Sequence, residues 1–423
     1  MRWEVARITN RITADVVVVG GGTAGCFAAI AAAKQGVSVL LIEKAAQLGG
    51  TMTTAGVAFP GLFHAWGKQI IDGPCWESIQ RAASLNGATI PNICYRPQHH
   101  WQEQVPVNPL VYSAVLDQMC LEADVNVLLH AMVFDAQETE QGIELLVACK
   151  EGPAWVSVKQ AIDATGDANL TQLLGYPLQA SEEVQPATLI NDIAGYDPAT
   201  LDREKFLAFL QAQVASGALH PRDYQGYYLW DQLLNRRLSM HLHAPQAQTS
   251  AGKTALEQKA RRELLRIVQV LRCFPGLENL QVTSFAAECG VRETVRIDGE
   301  LCMQVEDYVN AHRYEDAVCY AFYPVDRHMD TGIHQIFLEP EKVPTISYRA
   351  LQPKGAKRLL TAGRCVSADR DTQSAIRVCA PCMAMGQAAG VAAAIAVKQN
   401  CTVETVPYKT LCEALRNLGA IVP

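Results

Sequence analysis

Glycines stand at the first, third and sixth positions of Gly20-Gly21-Gly22-Thr23-Ala24-Gly25, a G-x-G-x-x-G run. Gly20 allows a tight turn out of a strand, Gly22 lets backbone approach a pyrophosphate, and Gly25 lets a helix pack closely on that strand. The helix that opens here, rich in alanine through Gln35, would offer unpaired N–H groups and its positive dipole end to an anion. Glu43 follows eighteen residues after Gly25, where a carboxylate can accept hydrogen bonds from a ribose diol. Glu rather than Arg at that place favours an unphosphorylated ribose, as in FAD or NAD. Lys44 and the Gly49-Gly50 doublet come next, as in FAD enzymes, where backbone wraps the extended cofactor.

Other residues have types suited to redox catalysis. Arg292 and Arg296 lie between Gly290 and Gly299. A guanidinium there can hold a carboxylate or stabilise developing charge, or it can form a structural ion pair with Glu288, Glu293 or Asp298. His328 ends Tyr-Pro-Val-Asp-Arg-His and can pass a substrate proton, with Asp326 two residues earlier setting its tautomer. Arg377 precedes the last long helix and either approaches the site or pairs with Asp369 or Asp371. Cys379-Ala380-Pro381-Cys382 has the C-x-x-C spacing of a dithiol at a helix start, but no second glycine fingerprint for a nicotinamide domain accompanies it. Two buried thiols are the preferred reading. No paired C-x-x-C sets suggest a metal site.

The elements that must position these groups are legible as patterns. Asp15–Val19 and Ser38–Ile42 read as buried parallel strands around the helix Ala24–Gln35, one βαβ unit closed by Gly36. Gly49–Gly67 reads as an irregular loop. A short helix is expected at Trp76–Ser84, a longer one at Leu110–Glu122 and a strand at Val125–Leu129. A meander follows through Met132–Ala136, Ile143–Cys149 and Trp155–Gln160, then a strand at Ala161–Gly166. Ala255–Arg272 carries Leu256, Leu264, Leu265, Val268 and Leu271 on one helical stripe. Arg358–Ala362 and Ala380–Lys398 return to the opening style of strand and small-residue helix.

The chain has 423 residues with net charge −7. That length suits two interleaved domains, and the acidic balance opposes a nucleic-acid binder. Fourteen cysteines at irregular spacing, with no apolar leader at Met1–Thr13, point to a reducing cytoplasm. The apolar run Gly390–Val397 is shorter than the ~20 residues a bilayer span needs, so no membrane insertion is expected.

Over Asp15–Gly50, Ala161–Asp167, Gly290–Gly299, Tyr323–His328 and Tyr348–Ala394, the chain resembles the FAD-dependent oxidoreductases related to the flavoprotein subunits of succinate dehydrogenase and fumarate reductase. The likeness includes Ala-Gly-Arg-Cys at 362–365 and Gly-Gln-Ala-Ala-Gly at 386–390, and is weakest over Ser181–Gln248. It implies an α/β fold: a Rossmann-like FAD/NAD(P)-binding domain of glutathione-reductase type with an inserted α+β substrate domain. The expected cofactor domain takes residues 12–75, 105–176 and 355–400. The insertion takes 76–104 and 177–354, and 401–423 form a C-terminal segment. Expected FAD contacts are Gly20, Gly22, Thr23, Ala24, Gly25, Glu43, Lys44, Gly49, Gly50, Thr51, Val133, Ala164, Thr165, Gly166, Asp167, Gly363, Arg364, Gly386, Gln387 and Ala388. The resemblance puts Ala164–Asp167 near the adenosine half and Gly363 near the flavin. It also sets the helix through Met385–Gly390 to point its start at the ring.

Some succinate dehydrogenase relatives attach FAD covalently to a histidine. The residues around His64 do not match that attachment motif, so non-covalent FAD is expected, with Phe59, Phe63 and Trp66 walling the flavin. The expected activity is hydride transfer between FAD and a small organic substrate at a C–C, C–O or C–N bond, with Arg292, His328 and Arg377 as catalytic candidates and an unidentified electron donor or acceptor. The alternatives are a flavin-linked thiol/disulfide enzyme using Cys379 and Cys382, or a flavin-binding subunit without turnover.

Overall fold

A computed structural model describes residues 8–90, 104–221, 227–329 and 332–423. Part of the expected insertion, residues 91–103, lies outside that description.

The valine run belongs to a long strand β1 (Asn10–Val19), followed by helix α1 (Thr23–Lys34) and strand β2 (Val39–Ile42). Helices α2 (Pro74–Leu85) and α3 (Pro109–Glu122) precede four strands: β3 (Asn126–Leu128), β4 (Met132–Glu138), β5 (Ile143–Cys149) and β6 (Gly152–Asp163). The sheet runs β3-β2-β1-β6-β5-β4, with Leu359–Thr361 also pairing β6. The two strands expected at Trp155–Gln160 and Ala161–Gly166 are one element. The first part of β6 pairs antiparallel with β5, and its last residues pair parallel with Leu359–Thr361. One strand thus serves both the meander and the parallel sheet.

Every parallel strand ends at the same edge. Val19 lies opposite Ile42 and Asp163, and Asp163 opposite Thr361. The turns leaving that edge are Gly20–Gly22, Glu43–Lys44, Ala164–Asp167 and Ala362–Arg364, and ligands of open α/β sheets bind at such carboxyl ends.

Within the residues expected to form the insertion, an antiparallel sheet is made of β7 (Ala187–Ala194), β8 (Arg237–Leu242) and β9 (Gln281–Phe285), with β7 central. Helix α4 (Ser250–Leu271) starts five residues before the expected Ala255, because the Thr249 hydroxyl accepts from the Gly252 N–H and caps it. These elements share one apolar cluster spanning Ala187–Cys289. Residues 303–351 and α2, expected in the insertion, instead contribute apolar side chains to the cluster around α1. A hairpin of β10 (Val325–Met329) and β11 (Gly332–Ile336) follows.

The last long helix, α5 (Cys379–Gln399), packs along α1. It is long and apolar enough to cross a membrane, longer than the expected 390–397 run, yet 94% of its most apolar window is buried inside the fold. A Cβ on Gly386 would lie 2.1 Å from the Ala24 carbonyl oxygen, and one on Gly390 the same distance from that of Ala28. Gly386 therefore serves packing, and Gly386, Gln387 and Ala388 lie outside the cavity lining. Gln387 extends toward α2, accepting from the Cys75 N–H and donating to the Asp72 carbonyl.

Replacing Gly390 with valine should cost about 3 kcal/mol or more, the upper end of overpacking, read as a lowered denaturant midpoint. An unchanged midpoint would contradict the helix–helix contact.

Candidate active site

A cavity of 1820 Å³ lies along the carboxyl edge of the sheet, larger than the roughly 300–1,000 Å³ of an ordinary small-molecule site. Its first stretch is the glycine turn. Gly20 has φ +102°, which a side chain would strain. A Cβ on Gly25 would lie 1.8 Å from the Gly20 carbonyl oxygen, so this glycine serves packing and does not reach the cavity. A Cβ on Gly22 would meet only the Gly50 Cα, at 4.0 Å. Nothing in the polypeptide demands a glycine there, but a closely approaching phosphate would. No side chain caps the first turn of α1, and Thr23 and Ala24 line the cavity. The residues present thus fit a dinucleotide.

Glu43 lines the cavity with both oxygens fastened. Gly21 N–H donates to Oε2 at 2.6 Å and Ala45 N–H to Oε1 at 2.7 Å. A carboxylate oxygen can accept more than one hydrogen bond, so a ribose hydroxyl can still reach it. The Gly49-Gly50 doublet crosses the turn: Gly49 N–H donates to the Gly21 carbonyl. Gly49 has φ +103° and lies behind the lining, whereas Gly50 and Thr51 belong to it.

Lys44, Val133, Ala164, Thr165, Gly166, Asp167, Gly363 and Arg364 also line the cavity. Arg364 spans two segments, bonding Asp167 at 2.5 Å and donating to the Val291 carbonyl at 2.7 Å. Thr294 donates to the same Asp167 oxygen. Asp163, fully buried, accepts from the amides and hydroxyls of Thr165 and Thr171 and holds the 164–167 turn.

The far wall gathers Arg292, Arg377 and His328 with Tyr323, Asp326, Gln335 and His241. Asp326 Oδ2 lies 3.0 Å from His328 Nε2, and Gln335 donates to Oδ1 at 2.9 Å from the paired position on β11. Burial pushes the His328 imidazole down to about 4, with Arg292 and Arg377 adding to it against the pull of Asp326. Its Nδ1 is buried without a hydrogen-bond partner, a penalty of about 1–3 kcal/mol in a closed interior. The partners of Asp326, His328 above all, hold its carboxyl well below the usual range, overcoming its burial.

Arg292 forms none of the expected acidic pairs. It donates to the Pro186 carbonyl and the Thr188 hydroxyl, both at 2.6 Å, and to His241 Nε2 at 3.2 Å. Glu293 is taken instead by Arg296 and Arg370, which makes Arg296 structural. Arg377 neighbours neither Asp369, which caps a helix, nor Asp371, which binds Arg327. Its guanidinium lies 3.9 Å from Asp326 Oδ2.

His241 was not visible as a site residue. It sits on β8, whose burial alternates, so that Arg237, Ser239 and His241 share the less buried face and Leu238, Met240 and Leu242 enter the core. The Arg-Leu-Ser-Met-His-Leu alternation carried that signal. Burial and the Arg292 charge push His241 down to about 2.

Cys379 and Cys382 line the cavity. Burial drives the Cys379 thiol up to about 11 and that of Cys382 well above its ordinary value. Both are thiols at neutral pH, unlike the low-pKa thiolates of redox dithiols. His64 lies outside the cavity lining, edge-on to Trp76, with burial lowering it to about 4. Of the aromatic trio only Phe59 lines the cavity. Phe63 packs on Trp76, and Trp66 packs on Phe322 with its indole N–H on the Lys342 carbonyl.

These three depressed histidines carry a stability signature. In the unfolded chain they take up protons near pH 6.5, whereas the folded protein resists until about pH 4 or below. The stability they contribute is complete above about pH 6.5 and is lost as pH falls toward about 4. Asp326 acts only below that window. Denaturant midpoints should therefore fall steadily from about pH 7 to about pH 4.5, and a flat profile would show that the rings are not buried and neutral. Cys379 and Cys382 should resist alkylation near pH 7 while exposed Cys273 reacts first. Rapid labelling of both would restore the dithiol reading.

Comparison with known proteins agrees with the cofactor geometry. An FAD-dependent oxidoreductase, oblC, of Cochliobolus heterostrophus is 54% identical over 43 residues, 10% of this chain and 9% of its own. The thiamine thiazole synthase of Methanococcus vannielii is 28% identical over 173 residues, 38% of this chain and 60% of its own. The chain thus spans less than two thirds of either relative. Among solved structures, a geranylgeranyl bacteriochlorophyll reductase-like protein of Thermoplasma acidophilum superposes with a TM-score of 0.44 at 12% identity, over 97% of this chain and 83% of that one. The family described as FAD dependent oxidoreductase matches residues 15–415. With that match spanning the glycine turn, the insertion and the last long helix, the chain belongs to the FAD dependent oxidoreductase family, and FAD is its cofactor.

Proposed function

We propose that this enzyme moves a hydride between non-covalently held FAD and a small organic substrate, and that His328 handles the accompanying proton. One observation carries the reading: a single cavity joins the glycine turn and Glu43 to the wall of His328, Asp326, Arg292 and Arg377. Gly20, Gly22, Thr23 and Ala24 would hold the pyrophosphate, and Glu43 with Lys44 the ribose. Gly363 and the start of α5 at Val378 and Cys379 line the flavin half, where a helix N-terminus favours negative charge on the reduced ring. The antiparallel meander beside the parallel strands supports a glutathione-reductase type of FAD domain.

Bound FAD supplies the two-electron chemistry. The chain supplies orientation and proton transfer. Asp326 holds the His328 ring through Nε2, burial keeps that ring neutral, and a neutral imidazole is a base. Arg377 and Arg292 add positive potential at the same wall, which suits a substrate that develops negative charge. His64, the histidine considered for covalent attachment, lies away from the cavity, which supports a cofactor held by contacts alone.

The purified protein should be yellow and should release its flavin on acid precipitation; a coloured pellet would overturn the non-covalent reading. Gly22→Val should leave the melting temperature of the apoprotein unchanged and weaken FAD binding tenfold or more, about 1.4 kcal/mol. Gly25→Val should impair folding itself. If Gly22→Val binds FAD normally, the pyrophosphate is elsewhere. His328→Ala should slow anaerobic bleaching by a reducing substrate by about 10²–10⁴-fold while FAD affinity holds; an unchanged rate would remove His328 from the reaction.

A further inference from the structure

Among the described residues, Lys44, Lys253, Arg261, Arg292, Arg364 and Arg377 are the lysines and arginines that line the cavity. Lys253 and Arg261 lie 3.3 and 3.5 Å from Glu257, and Arg364 closes on Asp167. Arg292 donates to Pro186, Thr188 and His241. Arg377 is held far more loosely. It follows the short helix Arg370–Ile376 and reaches toward Asp326. Its Nη2 donates to the Gln185 side-chain oxygen at 3.4 Å and to the Asp326 carbonyl at 3.3 Å, both longer than the roughly 2.7–3.2 Å of an ordinary N–H···O bond. Asp326 Oδ2 lies 3.9 Å away. Both carboxylate oxygens of Asp326 are already engaged, Oδ2 with His328 at 3.0 Å and Oδ1 with Gln335 at 2.9 Å. The Arg377 Nε is enclosed without a partner, and no ligand can reach it. Nη1 makes no hydrogen bond among the described residues, yet it is not enclosed as Nε is. With 13% of its side-chain surface open, Arg377 presents that end of the guanidinium to the cavity.

We propose that Arg377 binds a carboxylate of the substrate through the Nη1–Nη2 end of its guanidinium, so that the substrate is an organic acid. This rests on the redox reading of the cavity given above and names the class of molecule left open there.

The chemistry of the side chain makes the selection. A buried lysine or histidine can shed its proton when it finds no partner, but a guanidinium stays charged. A charge taken out of water needs both an opposite charge and acceptors for its N–H groups. The fold gives Arg377 two long bonds to neutral oxygens and a carboxylate at 3.9 Å that two other groups hold. An anion entering the cavity supplies what is missing. A carboxylate fits because its two oxygens match two parallel N–H groups on one edge of the guanidinium. With Nε closed off, that edge is the Nη1–Nη2 end. An uncharged amide of the same shape offers one acceptor and no charge. The acid group of the substrate is thereby anchored beside Asp326 and His328 on the far wall. The rest of the molecule extends into the cavity, toward the flavin half at Gly363 and Val378.

The test is calorimetric titration of the holoenzyme with two acids, acetate and benzoate, each against its uncharged amide, acetamide or benzamide, and with inorganic phosphate. At neutral pH each acid should bind at least tenfold tighter than its amide. Arg377→Met should weaken both acids tenfold or more, about 1.4 kcal/mol, and leave the amides and the FAD content unchanged. Its denaturant midpoint should not fall, because methionine removes a charge that the fold leaves poorly satisfied. Arg377→Lys should keep a preference for the acids, weaker than wild type, since the charge stays and the fork is lost. Acids and amides binding alike would overturn the proposal, as would an Arg377→Met protein that keeps the preference. Phosphate binding tighter than either acid would overturn the carboxylate. Loss of FAD from Arg377→Met would assign the guanidinium to the cofactor, and a lowered midpoint would assign it to the fold; either result overturns the proposal. FAD content is read from the visible spectrum of the same sample. A colourless protein whose acid preference depends on Arg377 would defeat the redox reading alone, and a yellow one without that preference would defeat the acid site alone.

Discussion

Two helices of small residues lie almost backbone to backbone, and the site follows from that contact. Gly386 lies over Ala24 and Gly390 over Ala28, the same step of four residues on each helix, so α1 and α5 run parallel and in register. Parallel helices in register present the same end to the same side. The first turns of both, Thr23-Ala24 and Val378-Cys379, accordingly reach the one cavity. A methyl group on either glycine would drive the helices apart, because its nearest neighbour is a backbone oxygen that cannot rotate away. Close packing here is the device that brings two positive dipole ends to one cofactor-binding edge.

The far wall obeys a different constraint. It buries two arginines, two histidines and an aspartate on one side of a cavity, where unpaired charge is expensive. The cost is contained by keeping the histidines neutral and letting Asp326 neighbour both His328 and Arg377. Charged groups that take no part at the wall are paired behind it. Glu293, wholly buried, lies between Arg296 and Arg370. The structural network and the cavity-facing cluster thus draw on neighbouring residues of one short segment, 290–299, with Arg292 facing the cavity and Arg296 turned into the fold.

The sequence made the cofactor half readable because its constraints are local. A glycine turn, a helix start and an acid at a strand tip fall within thirty residues, and each has one physical reason to be there. The meander and α5 were legible by periodicity, although the single strand β6 was read as two because its pairing changes partway along. Gly386 was expected near the flavin because a glycine that faces a cofactor and one that faces a helix look alike in sequence; in the structure Gly22 has space above it, whereas Gly386 and Gly390 each have a carbonyl there. His241 was missed because its importance is non-local. It lies on a strand with ordinary alternation, and the partners that give it a role, Arg292 and His328, are 51 and 87 residues away.

That non-locality also explains how one small sheet serves both the cavity and its own core. In the β7–β8 pair, Thr188 lies opposite His241 and Ile190 opposite Ser239, and all four line the cavity. The alternate residues Leu189, Leu238 and Met240 fill the insertion's own core. A strand has only two faces, so the residues of one face fill the core while those of the other line the cavity. The cavity-facing positions of β7 and β8 can therefore vary in chemistry at small cost in stability. The Gly20–Gly25 turn and the α1–α5 contact have no such freedom, since cofactor, sheet and helix meet there within one side chain's thickness.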